Sequence, residues 1–276
     1  MKKLYPIHLI TFIMSIFIRF DWILNLDLKT LVIKALLNIT LLQSLDPDQI
    51  YPFNGLSWFL STTFILYLFA IPLILQIKKI NKIKSQYLIL IILIIQNIII
   101  LINNKQNYQL NLYTSPFFRM FDFIIGMLIA KNFIIYKGNK VNSKIFNKLE
   151  IGIFIVFLVM YVLCLFNENI QHGLSFYSPV FICGIYIFAF EKGKISKWLS
   201  SDIFQKIAGV SFEFYMVHEL ILIVFRNIFI NFNLYWIIKN IIIAIPSFII
   251  SIVLAIVLNR YVTKNKCIYS KIKKKA

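Results

Sequence analysis

The sequence predicts an all-α, polytopic integral membrane bundle, and three observations carry that prediction. Of its 276 residues, 60% are hydrophobic and only 14% charged, where a soluble domain carries about a quarter charged residues. Phe, Tyr and Trp together reach 16% and the mean hydropathy is +0.80. A soluble fold of this length has too little interior to hide so much apolar surface. The net charge of +18 is spread in short basic runs between apolar stretches, not gathered on one surface as a nucleic-acid footprint requires. A water-soluble enzyme, a DNA-binding module and a disordered tail are thereby excluded. Helical spans remain.

A span needs roughly 17–25 mostly apolar residues. Eight stretches qualify, near 4–20, 55–77, 86–103, 117–136, 149–167, 174–190, 208–230 and 234–258. The first is short and carries Pro6 and His8. Lys2 and Lys3 before an apolar run imitate a signal peptide, but a cleavage site needs small residues and the first alanine is Ala35. It therefore reads as a span. Within 29–45, Thr30, Lys34 and Asn38 recur every four residues among Leu and Ile, which suits a helix lying in the outer interface. Residues 46–54 are rich in turn formers and read as an external loop. One membrane domain is expected over 1–258, followed by a basic cytoplasmic tail over 259–276.

Basic residues orient this arrangement, because Lys and Arg gather in cytoplasmic loops. Lys2 and Lys3, the clusters at 78–84, 131–148 and 192–206, and the tail hold 22 of the 29 basic residues. The alternate side receives Arg19, Lys29, Lys34, Lys105, Arg119, Arg226 and Lys239. Both termini are expected in the cytoplasm. Cys164, Cys183 and Cys267 show no ligand spacing and read as plain buried residues. No internal repeat supports an inverted-repeat transporter.

Ionisable groups inside spans cost free energy, so each one suggests a function. The seventh span holds Ser211, Glu213, Tyr215, His218, Glu219 and Arg226. Ser211, Tyr215, His218 and Leu222 share one helix face, and His218 lies about 18 Å along the axis from Lys206, near mid-bilayer. A histidine there can act as general base or hold a substrate hydroxyl; the plainer reading is a neutral imidazole bonded to a neighbouring helix. In the fourth span Arg119 and Asp122 stand i, i+3 on one face. Arg119 can bind an anionic group, or the two form a self-neutralised pair whose arginine reaches the interface. Asp46 and Asp48 around Pro47 suit paired-carboxylate chemistry less well than a solvated turn. Trp58 stands where an interface anchor is expected, and His8 and His172 read as incidental. No HExxH, P-loop, dinucleotide or GxSxG motif occurs.

Four segments in order resemble the membrane acyltransferase family 3, whose members acylate cell-surface sugars. Lys3-Leu4-Tyr5-Pro6-Ile7-His8 is similar to the Arg-Ile-Tyr-Pro-Leu-His opening of that family's third span. Ser57-Trp58-Phe59-Leu60-Ser61 resembles its Trp-x-Leu-Ser element. Pro116, Arg119, Asp122, Phe123 and Gly126 follow its Pro-x-x-Arg-x-x-acidic-Phe-x-x-Gly pattern, and Ser211 to His218 resembles its Ser-Tyr-x-x-Tyr-Leu-x-His signature. The resemblance implies transfer of an acyl group, acetyl above all, from acyl-CoA to a hydroxyl of a cell-surface polysaccharide or lipid-linked sugar, in the plasma membrane. It implies no bound cofactor; acetyl-CoA or another acyl-CoA is the donor substrate, and the partners are the lipid bilayer, acyl-CoA and a glycan acceptor. By the same resemblance Arg119, His218 and Tyr215 are the catalytic candidates, with Trp58, Asp122, Ser211 and Glu219 on the substrate.

Family members usually have about ten spans, the first carrying an arginine and then the histidine that acts as base. This sequence supplies eight spans and no such pair, since His8 aligns with the third-span opening and Arg19 follows it. Thr62 and Thr63 replace the acidic residue that many members place after Trp-x-Leu-Ser. The expectation is an acyltransferase shortened at its N-terminus and active only if the missing spans are supplied. An inactive remnant or partner-dependent subunit is the alternative, and a polysaccharide-precursor transporter or polymerase the third reading.

Overall fold

The computed structural model describes residues 3–46, 52–105, 112–138, 142–166, 177–232 and 235–273, the side chains of 104–105 and 263–273 excepted. Among the described residues every regular element is helical. In chain order these are α1 (Leu4–Ile18), α2 (Phe20–Leu24), α3 (Leu28–Ile39), α4 (Trp58–Lys79), α5 (Lys82–Lys105), α6 (Pro116–Tyr136), α7 (Ser143–Phe166), α8 (Ser178–Phe188), α9 (Lys194–Leu199), α10 (Asp202–Ile228) and α11 (Trp236–Lys273), with 3-10 turns at Gln43–Leu45 and Gly55–Ser57. Five stretches are long and apolar enough to cross a membrane: Gly55–Lys79, Lys82–Asn103, Ser143–Phe166, Asp202–Ile228 and Trp236–Val262. Their outer faces carry exposed Ile, Leu, Val and Phe, with Ile71 72% and Phe166 86% exposed, a surface that only lipid solvates without penalty. The chain is an integral membrane protein.

α1 and α8 are apolar but short, and α6 carries Arg119, Asp122 and Lys131 within its 21 residues. α1 breaks at Arg19, one residue before the expected end of the first span. α7 starts six residues before the expected 149, and α11 continues past 258 to Lys273. The helix expected over 29–45 ends at Ile39; a turn and the 3-10 segment follow.

The chain divides into two compact units, Met1–Phe64 with Lys206–Ala276, and Ile65–Gln205. In the first, Ile7 of α1, Met216 of α10 and Val262 of α11 form one core, with Phe212 and Tyr215 against it. Phe12, Ile23 and Phe53 form another beside α3. The polar stripe of α3 turns inward: Lys34 and Asn38 are buried, while Leu28, Val32 and Leu36 are exposed. Lys34 pairs with Asp46, also buried. That corrects the solvated-turn reading of Asp46; Asp48 lies outside the described residues. Removing one partner of such a buried pair leaves an uncompensated charge and costs about 3–5 kcal/mol. α3 begins at Asp27, whose side chain accepts the Thr30 N–H at 2.9 Å.

In the second unit Ile77, Ile92, Ile125, Leu128 and Ile129 pack α4, α5 and α6 together. Lys131 donates to the carbonyls of Ile77, at 2.6 Å, and of Ile80. It satisfies the orphan acceptors that end α4. Glu150 of α7 is fully buried and accepts the N–H groups of Ile195 (3.0 Å) and Ser196 (3.3 Å) at the start of α9. Cys164 is buried but Cys183 is exposed, so the expectation of plain burial fails for Cys183, which lies on the apolar outer face of α8; the side chain of Cys267 is outside the described residues.

Candidate functional site

Three of the four motif segments, Lys3–His8, Ser57–Ser61 and Ser211–His218, meet in the first unit. Ser57 and Ser61 lie one helical turn apart at the start of α4, on one face. Ser57 Oγ donates to Asn54 O at 2.7 Å and accepts from Gln43 Nε2 at 3.1 Å. Ser61 Oγ donates to Leu41 O at 2.8 Å and accepts the Ser44 N–H at 3.0 Å. Leu41 sits at φ 59°, a left-handed conformation that costs a non-glycine residue about 1–2 kcal/mol, and the Ser61 bond helps hold it. The serines of this element therefore build the turn, and Trp58 between them is half-buried with its ring edge-on to Phe59, 6.1 Å away.

From that turn Asn54, fully buried, donates to Met216 O of α10 at 2.8 Å. Phe59 lies edge-on to Tyr215 at 5.9 Å. Gly55 faces Glu219 so closely that a Cβ would come 3.2 Å from its Oε2. Glu219 Oε1 accepts from Arg19 Nη2 at 2.9 Å, while Oε2 is buried without a hydrogen-bond partner among the described residues. Arg19 and Gly55 were missed by sequence reasoning. Two hundred residues separate Arg19 from Glu219, and the one available signal was an arginine on the side that positive-inside distribution disfavours.

His218 Nδ1 lies 2.9 Å from Tyr215 O and 3.3 Å from Phe214 O. Both neighbours are carbonyl acceptors, so Nδ1 carries the hydrogen and Nε2 keeps its lone pair in the neutral ring. Among the described residues the imidazole bonds its own helix and no neighbouring one. Its ring stacks on Phe214 at 5.4 Å and 6°. Phe214 in turn lines a cleft of about 720 Å³ between α10 and α11, with Ser211, Phe248 and Ile252 on its walls and Lys206 and Arg260 among its lining residues. Ser211 Oγ donates to Ala208 O at 2.8 Å. Close by, fully buried Glu213 pairs with Lys3 at 3.2 Å and accepts from Asn259 at 3.0 Å.

His8 is not incidental in position. It is fully buried, with Nε2 2.9 Å from Asn38 O and Nδ1 unpartnered among the described residues. His172 lies outside the described residues.

Arg119 and Asp122 belong to the second unit. Arg119 Nη1 donates to Asp122 Oδ2 at 2.9 Å and Nε to Tyr113 O at 2.8 Å, with the guanidinium 4.9 Å from the centre of the Tyr113 ring. Gln96 Nε2 donates to the other oxygen of Asp122 at 2.8 Å. The self-neutralised pair is formed, and among the described residues Nη2 has no hydrogen-bond partner, within a guanidinium held on two sides.

No curated protein and no solved structure matches the chain. The model of acyltransferase family 3, described as an acyltransferase domain, matches residues 1–260. That match takes in the Ser57–Ser61 turn, the Arg119–Asp122 pair and the Ser211–His218 helix, and the chain is a member of acyltransferase family 3, a membrane acyltransferase.

Proposed function

We propose that the chain transfers an acyl group, acetyl above all, from acyl-CoA to a hydroxyl of a cell-surface polysaccharide or lipid-linked sugar. The observation that carries this reading is the orientation of His218. Its Nδ1–H is committed to Tyr215 O, so the tautomer present is the one that accepts a proton at Nε2. In the reaction the acceptor oxygen attacks the thioester carbonyl, the C–O bond forms and the C–S bond breaks. The hydroxyl proton passes to Nε2 and then to the departing CoA thiolate. The Tyr215 carbonyl steadies the imidazolium formed between those two transfers. Tyr215 and Glu219 flank the base and orient the acceptor.

The cleft beside Phe214 suits the donor. Lys206 and Arg260 offer charge to its phosphates, and Phe248 and Ile252 offer apolar walls to its acyl end. Ser211 lies on the same cleft. In its own unit, Arg119 holds an anionic group of a substrate through Nη2, with Asp122 and Tyr113 keeping the fork aimed. Trp58 borders the acceptor side beside Phe59. The charged helix α6 and the short helices α1 and α8 complete eight crossings in the plasma membrane, with both termini in the cytoplasm.

The test uses the full chain in membranes with radiolabelled acetyl-CoA and a lipid-linked oligosaccharide. Label should enter the glycan, and His218→Ala should lower the rate at least about a hundredfold while acetyl-CoA binding persists. Absence of acetyl-CoA binding, or transfer that ignores His218→Ala, would overturn the reading. Movement of the lipid-linked sugar without any acyl donor would point to a transporter instead.

A further inference from the structure

The helix pair α10–α11 carries a second cleft, toward the other end from Lys206 and Arg260. It has a volume of about 700 Å³, and Arg226, Asn227, Lys239 and Asn240 line it together with apolar residues such as Leu222 and Ala244. We propose that this cleft binds the phosphate of an anionic phospholipid, held from within the bilayer. The proposal does not depend on the acyl-transfer reading.

Three observations converge on it. First, no carboxylate lines the cleft, and neither cation forms an ion pair among the described residues. Arg226 is exposed and makes no hydrogen bond or ion pair with the described residues. Lys239 Nζ donates to the carbonyls of Ile230 at 3.0 Å and Phe232 at 3.4 Å, which positions its charge without neutralising it. Second, the lining is amphipathic. Charged and amide groups border apolar ones, so one ligand must satisfy an anion site and an apolar wall together; a phosphodiester on acyl chains does both. Third, the depth fits. Twenty residues separate Lys206 from Arg226 on α10, about 30 Å at 1.5 Å per residue, which is the thickness of the hydrocarbon layer. When the Lys206 end lies at one headgroup level, Arg226 lies at the other. Arginine and lysine at that depth face lipid phosphates.

The test is photocrosslinking on the full purified chain in mixed micelles, with a phosphatidylglycerol bearing a diazirine in its acyl chain and crosslinks mapped by mass spectrometry. Crosslinks should appear between Leu222 and Ile230 and between Lys239 and Ala244. Unlabelled phosphatidylglycerol should compete, and phosphatidylcholine and inorganic phosphate should not. Arg226→Gln should lower labelling there about tenfold, the loss expected for one charge-assisted hydrogen bond, and Arg226→Lys should restore most of it. Labelling at the Lys206–Phe214 cleft should stay unchanged in both variants, which shows that the chain is folded. Equal competition by phosphatidylcholine would reduce the cleft to an apolar surface and overturn the proposal. Competition by inorganic phosphate would make it a free-anion site, and labelling indifferent to Arg226→Gln would leave no role for the cation; either result also overturns it.

Discussion

Two glycines show how side chains set the tolerances of this protein. At Gly193 a Cβ would lie 2.1 Å from the carboxyl group of Glu150, which is fully buried and holds the first N–H groups of Lys194–Leu199. At Gly55 the corresponding approach to Glu219 is 3.2 Å, a distance that a small side-chain rotation relieves. Gly193→Ala must displace a buried carboxylate from its donors, and a lost charge-assisted bond with desolvation costs about 1–3 kcal/mol. Thermal unfolding in detergent should show Gly193→Ala lowering the midpoint by several degrees and Gly55→Ala lowering it less. A Gly193→Ala protein as stable as the parent would mean that Glu150 does not bind the turn. Gly193 lies near no motif and Gly55 stands two residues before the Ser57–Ser61 segment, but spacing alone reveals neither contact; Glu150 likewise reads as one charge at the edge of an apolar run.

Among the elements, α3 has the clearest dependence on solution conditions. Its first N–H groups have no intrahelical acceptor, and Asp27 supplies one to Thr30 at 2.9 Å. That bond, with the Thr30 side chain and Lys29 adding to it, holds the exposed Asp27 carboxyl below the usual aspartate range. A carboxylate depressed in the folded state contributes stability that is fully present above its unfolded value, about 3.9. The contribution disappears as pH falls through the folded value. Hydrogen exchange of the Leu28–Leu31 amides should therefore accelerate in acid below about pH 4. In Asp27→Ala those amides should exchange fast at every pH, with no such step. A step that survives in the variant would assign the acid sensitivity elsewhere. The same element shows what spacing leaves open. Four-residue spacing of Thr30, Lys34 and Asn38 defines a face, but which side of the helix meets protein depends on Asp46, a partner twelve residues from Lys34.

For the whole molecule, the apolar exterior makes detergent a requirement for solubility, and the number of crossings becomes the leading question of topology. Five helices suffice by length and composition. Adding α1, α6 and α8 gives an even number and places both termini on one side. Reporter fusions at the N-terminus, at the C-terminus and within residues 106–111 decide this. Cytoplasmic signals at both ends and an external signal at 106–111 are the expected result; termini on opposite sides would remove one of the crossings by α1, α6 and α8.

By itself, the sequence determined the solvent, the class and the family. Composition requires lipid, because 60% hydrophobic residues cannot be buried in a chain this short. The 3.6-residue periodicity places Ser211 with Tyr215 and His218, and the motif segments identify the acyltransferase family. Tertiary structure decided what those side chains do, because hydrogen bonds and ion pairs join positions that spacing cannot relate. It gave Ser57 and Ser61 to a turn, tied Asn54 to Met216, paired Arg19 with Glu219 and buried Lys34 against Asp46. It also chose the His218 tautomer, since only the folded helix brings the Tyr215 carbonyl within 2.9 Å of Nδ1. Short-range periodicity is a property of the backbone and can be read along the chain; long-range polar pairing follows from which helices pack, and that is settled only when burial makes an unpaired charge too costly to keep.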